Sequence, residues 1–179
     1  ALLLVWLGPA VAVAQPAPRE PGVVSAWSQI GSADSLLVRA ATTAPDCPRV
    51  SVDGVAQTMG VRSRPNPDFP ITVCEASIAR STTAVTIDEV AVPTVRRFPE
   101  RIVVIGDTGC RLHGTDMQAC NDPEAWPFAR IAARAAALRP DLVIHTGDSF
   151  ARETPCPAGV EGCAGSPAGD NWASWTEEV

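Results

Sequence analysis

Two stretches of the chain place carboxylates where chemistry is most easily done. Arg101-Ile102-Val103-Val104-Ile105 runs into Gly106-Asp107-Thr108-Gly109, and Asp141-Leu142-Val143-Ile144-His145-Thr146 runs into Gly147-Asp148-Ser149. Each is a short aliphatic run ending in Gly-Asp, and a segment of helical spacing separates them. Continuous β-branched runs of this length read as buried parallel strands. Strand, helix and strand then form one right-handed unit with its two strands side by side. Both Gly-Asp pairs fall at the C-terminal ends of those strands, where open α/β sheets bind ligands. Two carboxylates at one strand edge repel each other, and the repulsion is relieved by a shared proton or by a cation. Divalent metals are the usual partners when Asp is the ligand. The glycine before each Asp lets the backbone turn sharply and lets a ligand come close.

These residues resemble the opening of a calcineurin-like metallophosphoesterase domain. Gly106-Asp107-Thr108-Gly109 is similar to the first metal motif in its purple-acid-phosphatase form, and His145-Thr146-Gly147-Asp148 is similar to the second. The resemblance implies that Asp107 binds one metal and Asp148 bridges two, both being metal ligands and catalytic residues in that sense. It implies two divalent or mixed-valence ions (Mn, Zn or Fe) that activate water for in-line attack on the phosphorus of a mono- or diester. It covers 100–179. The family's later Gly-Asn-His motif and C-terminal metal histidines have no counterpart, so the resemblance implies the N-terminal part of such a domain, inactive by itself. Two departures bear on the metals. Ala151 stands where the purple-acid-phosphatase form has its Tyr, and the chain has no Tyr at all. Gly109 stands where the wider superfamily has a metal-binding His. The alternative is a non-catalytic secreted binding module on a degenerate scaffold. A phosphotransfer fold with a nucleophilic Asp would need a Lys, and every basic residue here is Arg.

Around this pair the loops offer fewer reactive groups. Arg111 is a candidate for a substrate phosphate, because a guanidinium matches phosphate oxygens; its competing reading is a solvated loop arginine. His113 lacks metal-ligand spacing. Alternation along the second strand sets Ile144, Thr146 and Asp148 on one face and Val143 and His145 on the other, so His145 reads as a structural histidine. By the same rule Val103, Ile105 and Asp107 share a face.

A hydrophobic content of 46% permits a packed core, and a net charge of −6 leaves no basic patch for nucleic acid. The six cysteines include no Cys-x-x-Cys pair and read as disulfides of an oxidising compartment. Six cysteines allow fifteen connectivities; the choice that pairs near neighbours joins Cys47 to Cys74, Cys110 to Cys120 and Cys156 to Cys163. The run 1–14 is apolar, too short to span a bilayer, and ends in Ala12-Val13-Ala14. It reads as a partial secretory signal peptide, without a stable membrane anchor, and points to a periplasmic or secreted protein.

The rest of the chain follows in order. Residues 15–26 are a Pro-rich flexible arm. Residues 27–95 read as a β-rich, sandwich-like domain of about five short strands, with an Asp53-Gly54 hairpin and a single returning strand from Val55 to Arg62. Pro93 to Pro99 is a linker. In 100–179, Asp122 and Pro123 start a helix whose face carries Phe128, Ile131, Ala135 and Leu138. Arg139 and Pro140 end it. Asp170 caps a last helix bearing Trp172, Trp175 and Val179 on one face.

Overall fold

The computed structural model describes residues 22–177. The expected signal segment, the arm as far as Pro21, and Val179 lie outside the described residues. The chain is mostly β, with few helices.

Val23–Ile30 (β1), Ser35–Thr42 (β2), Arg49–Val52 (β3), Val55–Thr58 (β4), Gly60–Ser63 (β5), Thr72–Ala79 (β6), Val85–Ile87 (β7) and Val90–Ala91 (β8) form two four-stranded sheets. Their orders are β1-β2-β6-β5 and β4-β3-β7-β8, antiparallel throughout. Strict alternation makes the sandwich. Leu36, Val38 and Ala40 of β2 and Cys74, Ala76 and Ile78 of β6 turn inward from one sheet. Val50, Val52, Val85 and Ile87 meet them from the other. Each large aliphatic side chain so buried contributes about 1.5–3 kcal/mol.

The Asp53-Gly54 turn is present, with φ of 49° and 84°, the left-handed pair that a two-residue hairpin needs. The Asp53 carboxylate accepts the Ala84 N–H at 2.9 Å, the Thr83 hydroxyl at 2.9 Å and the Thr83 N–H at 3.1 Å. Those bonds, the Ala84 amide first, hold its pKa below the usual carboxylate range.

Two expectations are corrected here. The arm was drawn to residue 26, but strand β1 begins at Val23, where the Gly22 N–H reaches the Thr43 hydroxyl at 3.0 Å. The segment Val55 to Arg62 is two strands rather than one. Met59 is 8% exposed and plunges into the core, so β4 stays with β3 while β5 crosses to pair with β6.

Residues 93–99 are irregular, as a linker should be. They are tied down at several points. Ser28 donates to the Pro93 carbonyl, Arg80 to the Arg96 carbonyl at 3.1 Å, and Arg97 pairs with Asp34 at 3.9 Å. Asp141 accepts the Glu100 and Arg101 N–H groups, each at 3.0 Å, and pairs with Arg96 at 3.4 Å.

The Arg101 and then the Glu100 amide bonds lower the Asp141 pKa. A lowered folded-state value means the clamp is in place above about pH 4 and is lost as pH falls through the lowered value. In an acid titration followed by NMR, the Glu100 and Arg101 amides are expected to shift together, with a midpoint below that of a free aspartate. Asp141→Asn should abolish the shift, and a free-aspartate midpoint would refute the clamp.

Beyond the linker, Ile102–Ile105 (β9) and Leu142–His145 (β12) pair in parallel, from Ile102 opposite Leu142 to Ile105 opposite His145. Between them come the short hairpin Leu112–His113 (β10) and Asp116–Met117 (β11), then Phe128–Ala137 (α1). The helix starts later than Asp122 and Pro123 suggested. Asp122 instead makes a turn, its carboxylate taking the Glu124 N–H at 2.8 Å, and Pro127 stands at the helix N-cap. The end is as expected: Arg139 takes a left-handed φ of 48° and Pro140 follows. The burial expected of this unit is not found: neither strand is buried, nor is the helix face of Phe128, Ile131, Ala135 and Leu138, and Val104 is 61% and Ile131 48% exposed, because little of the described chain packs over these faces.

Trp172–Glu177 (α2) closes the described chain. Its cap is Asn171, whose Oδ1 accepts the Ser174 N–H at 3.1 Å, and not Asp170, which takes the Trp175 indole N–H at 2.7 Å. The Trp172 N–H reaches back to the Asp68 carbonyl of the sandwich at 2.8 Å. All three disulfides join the near-neighbour pairs: Cys47–Cys74, Cys110–Cys120 and Cys156–Cys163.

Candidate functional site

The two Gly-Asp loops lie against each other. The parallel pairing of β9 and β12 does not stop at the strand ends. The Thr146 N–H donates to the Ile105 carbonyl at 2.9 Å, Asp107 N–H to Gly147 at 3.0 Å, and Gly109 N–H to Asp148 at 2.8 Å. Further along, the Leu112 N–H donates to Ala151 and the Glu153 N–H to Leu112, both at 2.9 Å. Asp107 and Asp148 are therefore backbone neighbours, brought together from positions far apart in the chain.

Both aspartates have a φ of 53°. A left-handed backbone costs a non-glycine residue about 1–2 kcal/mol, and Asp tolerates it better than most. Strain of this kind gathers at functional sites. It also overturns the expectation about faces. Ile105 is opposite His145, so simple alternation would send the two carboxylates to opposite sides of the sheet. The strands end at Ile105 and His145, and the left-handed turn at each Asp replaces the alternation. Both aspartates are exposed, whereas Thr108, Gly109 and Cys110 beneath them are buried.

Glycine is required at two points. A Cβ on Gly106 would sit 2.1 Å from the Thr146 hydroxyl oxygen. A Cβ on Gly109 would sit 2.8–2.9 Å from the Phe150 backbone, which cannot swing away. The position where the resembled superfamily carries a metal-binding His thus has no room for any side chain. Gly109→Ala should cost about 3 kcal/mol through overpacking. Its melting temperature should fall by roughly 6–12 °C. A variant that melts with the parent chain would show that the loops are not pressed together.

The remaining candidates are placed as follows. Arg111 is half exposed and pairs with Asp116 across the β10–β11 hairpin at 3.4 Å. The His113 Nδ1 lies 2.8 Å from a Glu153 carboxylate oxygen, and both side chains are exposed. The His145 Nε2 meets the Thr108 hydroxyl at 2.8 Å and its Nδ1 accepts the Gly147 N–H at 3.2 Å, which agrees with a structural histidine. A pocket of about 310 Å³ opens beside Asp107, walled by Val104, Trp126, Phe128 and Ile131 among others.

Arg152 stands out only in the structure. It is 1% exposed and pairs with Glu177 of α2. Phe150 stacks on Trp175 with ring centroids 4.8 Å apart. Together they anchor the chain after Asp148 to the last helix. The indole pattern around Trp172 hinted at a packed helix, but nothing in the local sequence marked Arg152.

Among the described residues, no group of three or more His, Cys, Asp or Glu side chains is arranged to hold a metal. No protein-family model, curated protein or solved structure matches the chain.

Proposed function

We propose that this chain carries the first part of the dinuclear metal site of a secreted or periplasmic phosphoesterase acting on phosphate mono- or diesters. In this reading its α/β unit opens a metallophosphoesterase-like domain, Asp107 is a terminal metal ligand and Asp148 is the bridging one. One observation carries the reading: two exposed aspartates at the ends of adjacent parallel strands, each in strained left-handed backbone, with their loops hydrogen-bonded to each other.

The donors fit a divalent metal in kind, since both are carboxylates. They fall short in number, and on this reading the further ligands, the leaving-group acid and the phosphate-binding histidines would come from outside the described residues. When bound, the metals would supply a water nucleophile at neutral pH and neutralise developing charge. The chain's own contribution is positional. Gly106 and Gly109 allow the loops to close up, and the backbone bonds hold Asp107 and Asp148 at a fixed separation. Arg111 would leave Asp116 to meet a phosphate oxygen. The three disulfides suit an oxidising compartment, and no helix among the described residues is long and apolar enough to cross a membrane.

The test is metal content and phosphatase turnover of the complete gene product, beside its Asp148→Asn variant. About two metals per chain, lost together with turnover in the variant, support the reading. The 179-residue chain alone should be inactive and bind Mn²⁺ or Zn²⁺ poorly, and tight binding with turnover by that chain would sink the incomplete-site assignment.

The second reading is a non-catalytic surface module. It is favoured by Gly109, closed to a histidine, and by Ala151 in place of a phenol. A complete gene product that stays metal-free and inactive after metal replenishment selects it.

A further inference from the structure

We infer that His145 is a positioning residue, whose neutral imidazole braces the two aspartate loops against each other. Its two ring nitrogens grip the residue next to each aspartate. The Nδ1 accepts the Gly147 N–H at 3.2 Å, and Gly147 precedes Asp148. The Nε2 meets the Thr108 hydroxyl oxygen at 2.8 Å, and Thr108 follows Asp107.

The proton assignment follows from these partners. A backbone N–H can only donate, so Nδ1 must offer its lone pair. In a neutral ring the proton then sits on Nε2, and Nε2–H donates to Thr108. Thr108 is 9% exposed, so losing this bond would leave a buried hydroxyl short of a partner.

His145 is exposed at the end of β12, so packing does not call for a ring there. A polar ring at that position is better explained by what it reaches. The brace acts beside the backbone bonds between the loops, Asp107 N–H to Gly147 and Gly109 N–H to Asp148. Those bonds set the register. The ring adds a side-chain tie across the top, where Asp107 and Asp148 are left-handed. Its consequence for metal binding rests on the phosphoesterase reading above; the brace itself does not.

The chain has two histidines, so ring ¹⁵N signals in NMR are readily assigned. In its neutral form, His145 should carry its proton on Nε2. Amide hydrogen exchange at Gly109 and Gly147 should speed up about tenfold in Thr108→Val and in His145→Leu, with the sandwich amides unchanged. Thr108→Ser restores the acceptor and should restore protection. His145→Gln, which keeps a donor near the Nε2 position, should retain the Thr108 side of the brace.

A proton on Nδ1, unchanged exchange at the two glycines, or an equal rise across the whole chain would each overturn the brace. In the complete gene product, Thr108→Val should also weaken metal binding about tenfold, as for groups that orient metal ligands. A gene product without metal overturns the phosphoesterase reading, while the exchange and ring data still decide the brace.

Discussion

On the proposed phosphoesterase reading, Asp148→Asn in the complete gene product is expected to lose about a thousandfold in turnover together with bound metal. The substitution keeps size and shape and removes one charge. A metal that neutralises charge on a phosphoryl oxygen supplies several kcal/mol to the transition state, and about 4 kcal/mol is a thousandfold in rate. The fold should survive. Asp148 is exposed, and its structural role runs through its backbone carbonyl, which takes the Gly109 N–H at 2.8 Å whatever the side chain. Surface changes of this sort stay within about 0.5 kcal/mol. Calorimetry and metal analysis on the same preparation separate the two effects. Full turnover in the variant would remove Asp148 from the reaction.

Replacing Cys47 and Cys74 together by Ala should destabilise the sandwich by about 3.5 kcal/mol. The bridge spans a separation of 27 residues, the longest loop of the three. Opening it returns the most entropy to the unfolded chain. For a chain of this size that is a fall of roughly 7–14 °C in melting temperature. Cys74 is also fully buried in β6, so its sulfur leaves a small void. Opening Cys156–Cys163, with a separation of 7, should cost about 1 kcal/mol less. The order of the two effects, read by scanning calorimetry, tests the assignment, and equal melting of both variants would count against it.

The sandwich was legible because half-buried strands alternate; β3, β6 and β7 do so without interruption, and β2 does so as far as Ala40. The parallel pair was legible from composition; the cysteines were legible as disulfides, while their pairing was one choice among the fifteen that six cysteines allow. What was not legible depended on tertiary competition. Met59 belongs to the core of both sheets, so the chain changes sheet there, and no local pattern says so. Asp122 and Asp170 are good caps by type, but Pro127 and Asn171 hold the capping positions, because the Asp122 carboxylate is engaged by the Glu124 N–H and that of Asp170 by the Trp175 indole. The shared setting of Asp107 and Asp148 was expected from the Gly-Asp pattern. How it is achieved was not, because alternation says nothing about residues with positive φ. Arg152 shows the same limit: it is buried and its ion-pair partner Glu177 lies well beyond any local window.

The covalent map of the oxidised chain has a seam. Cys47–Cys74 lies wholly before residues 93–99, while Cys110–Cys120 and Cys156–Cys163 lie wholly after them. A single peptide cut in that stretch would turn one molecule into two, with no thiol chemistry required. Only contacts such as Trp172 with Asp68 and Arg97 with Asp34 would then keep the halves in company. The same bridges that lock each half give no protection to the join between them.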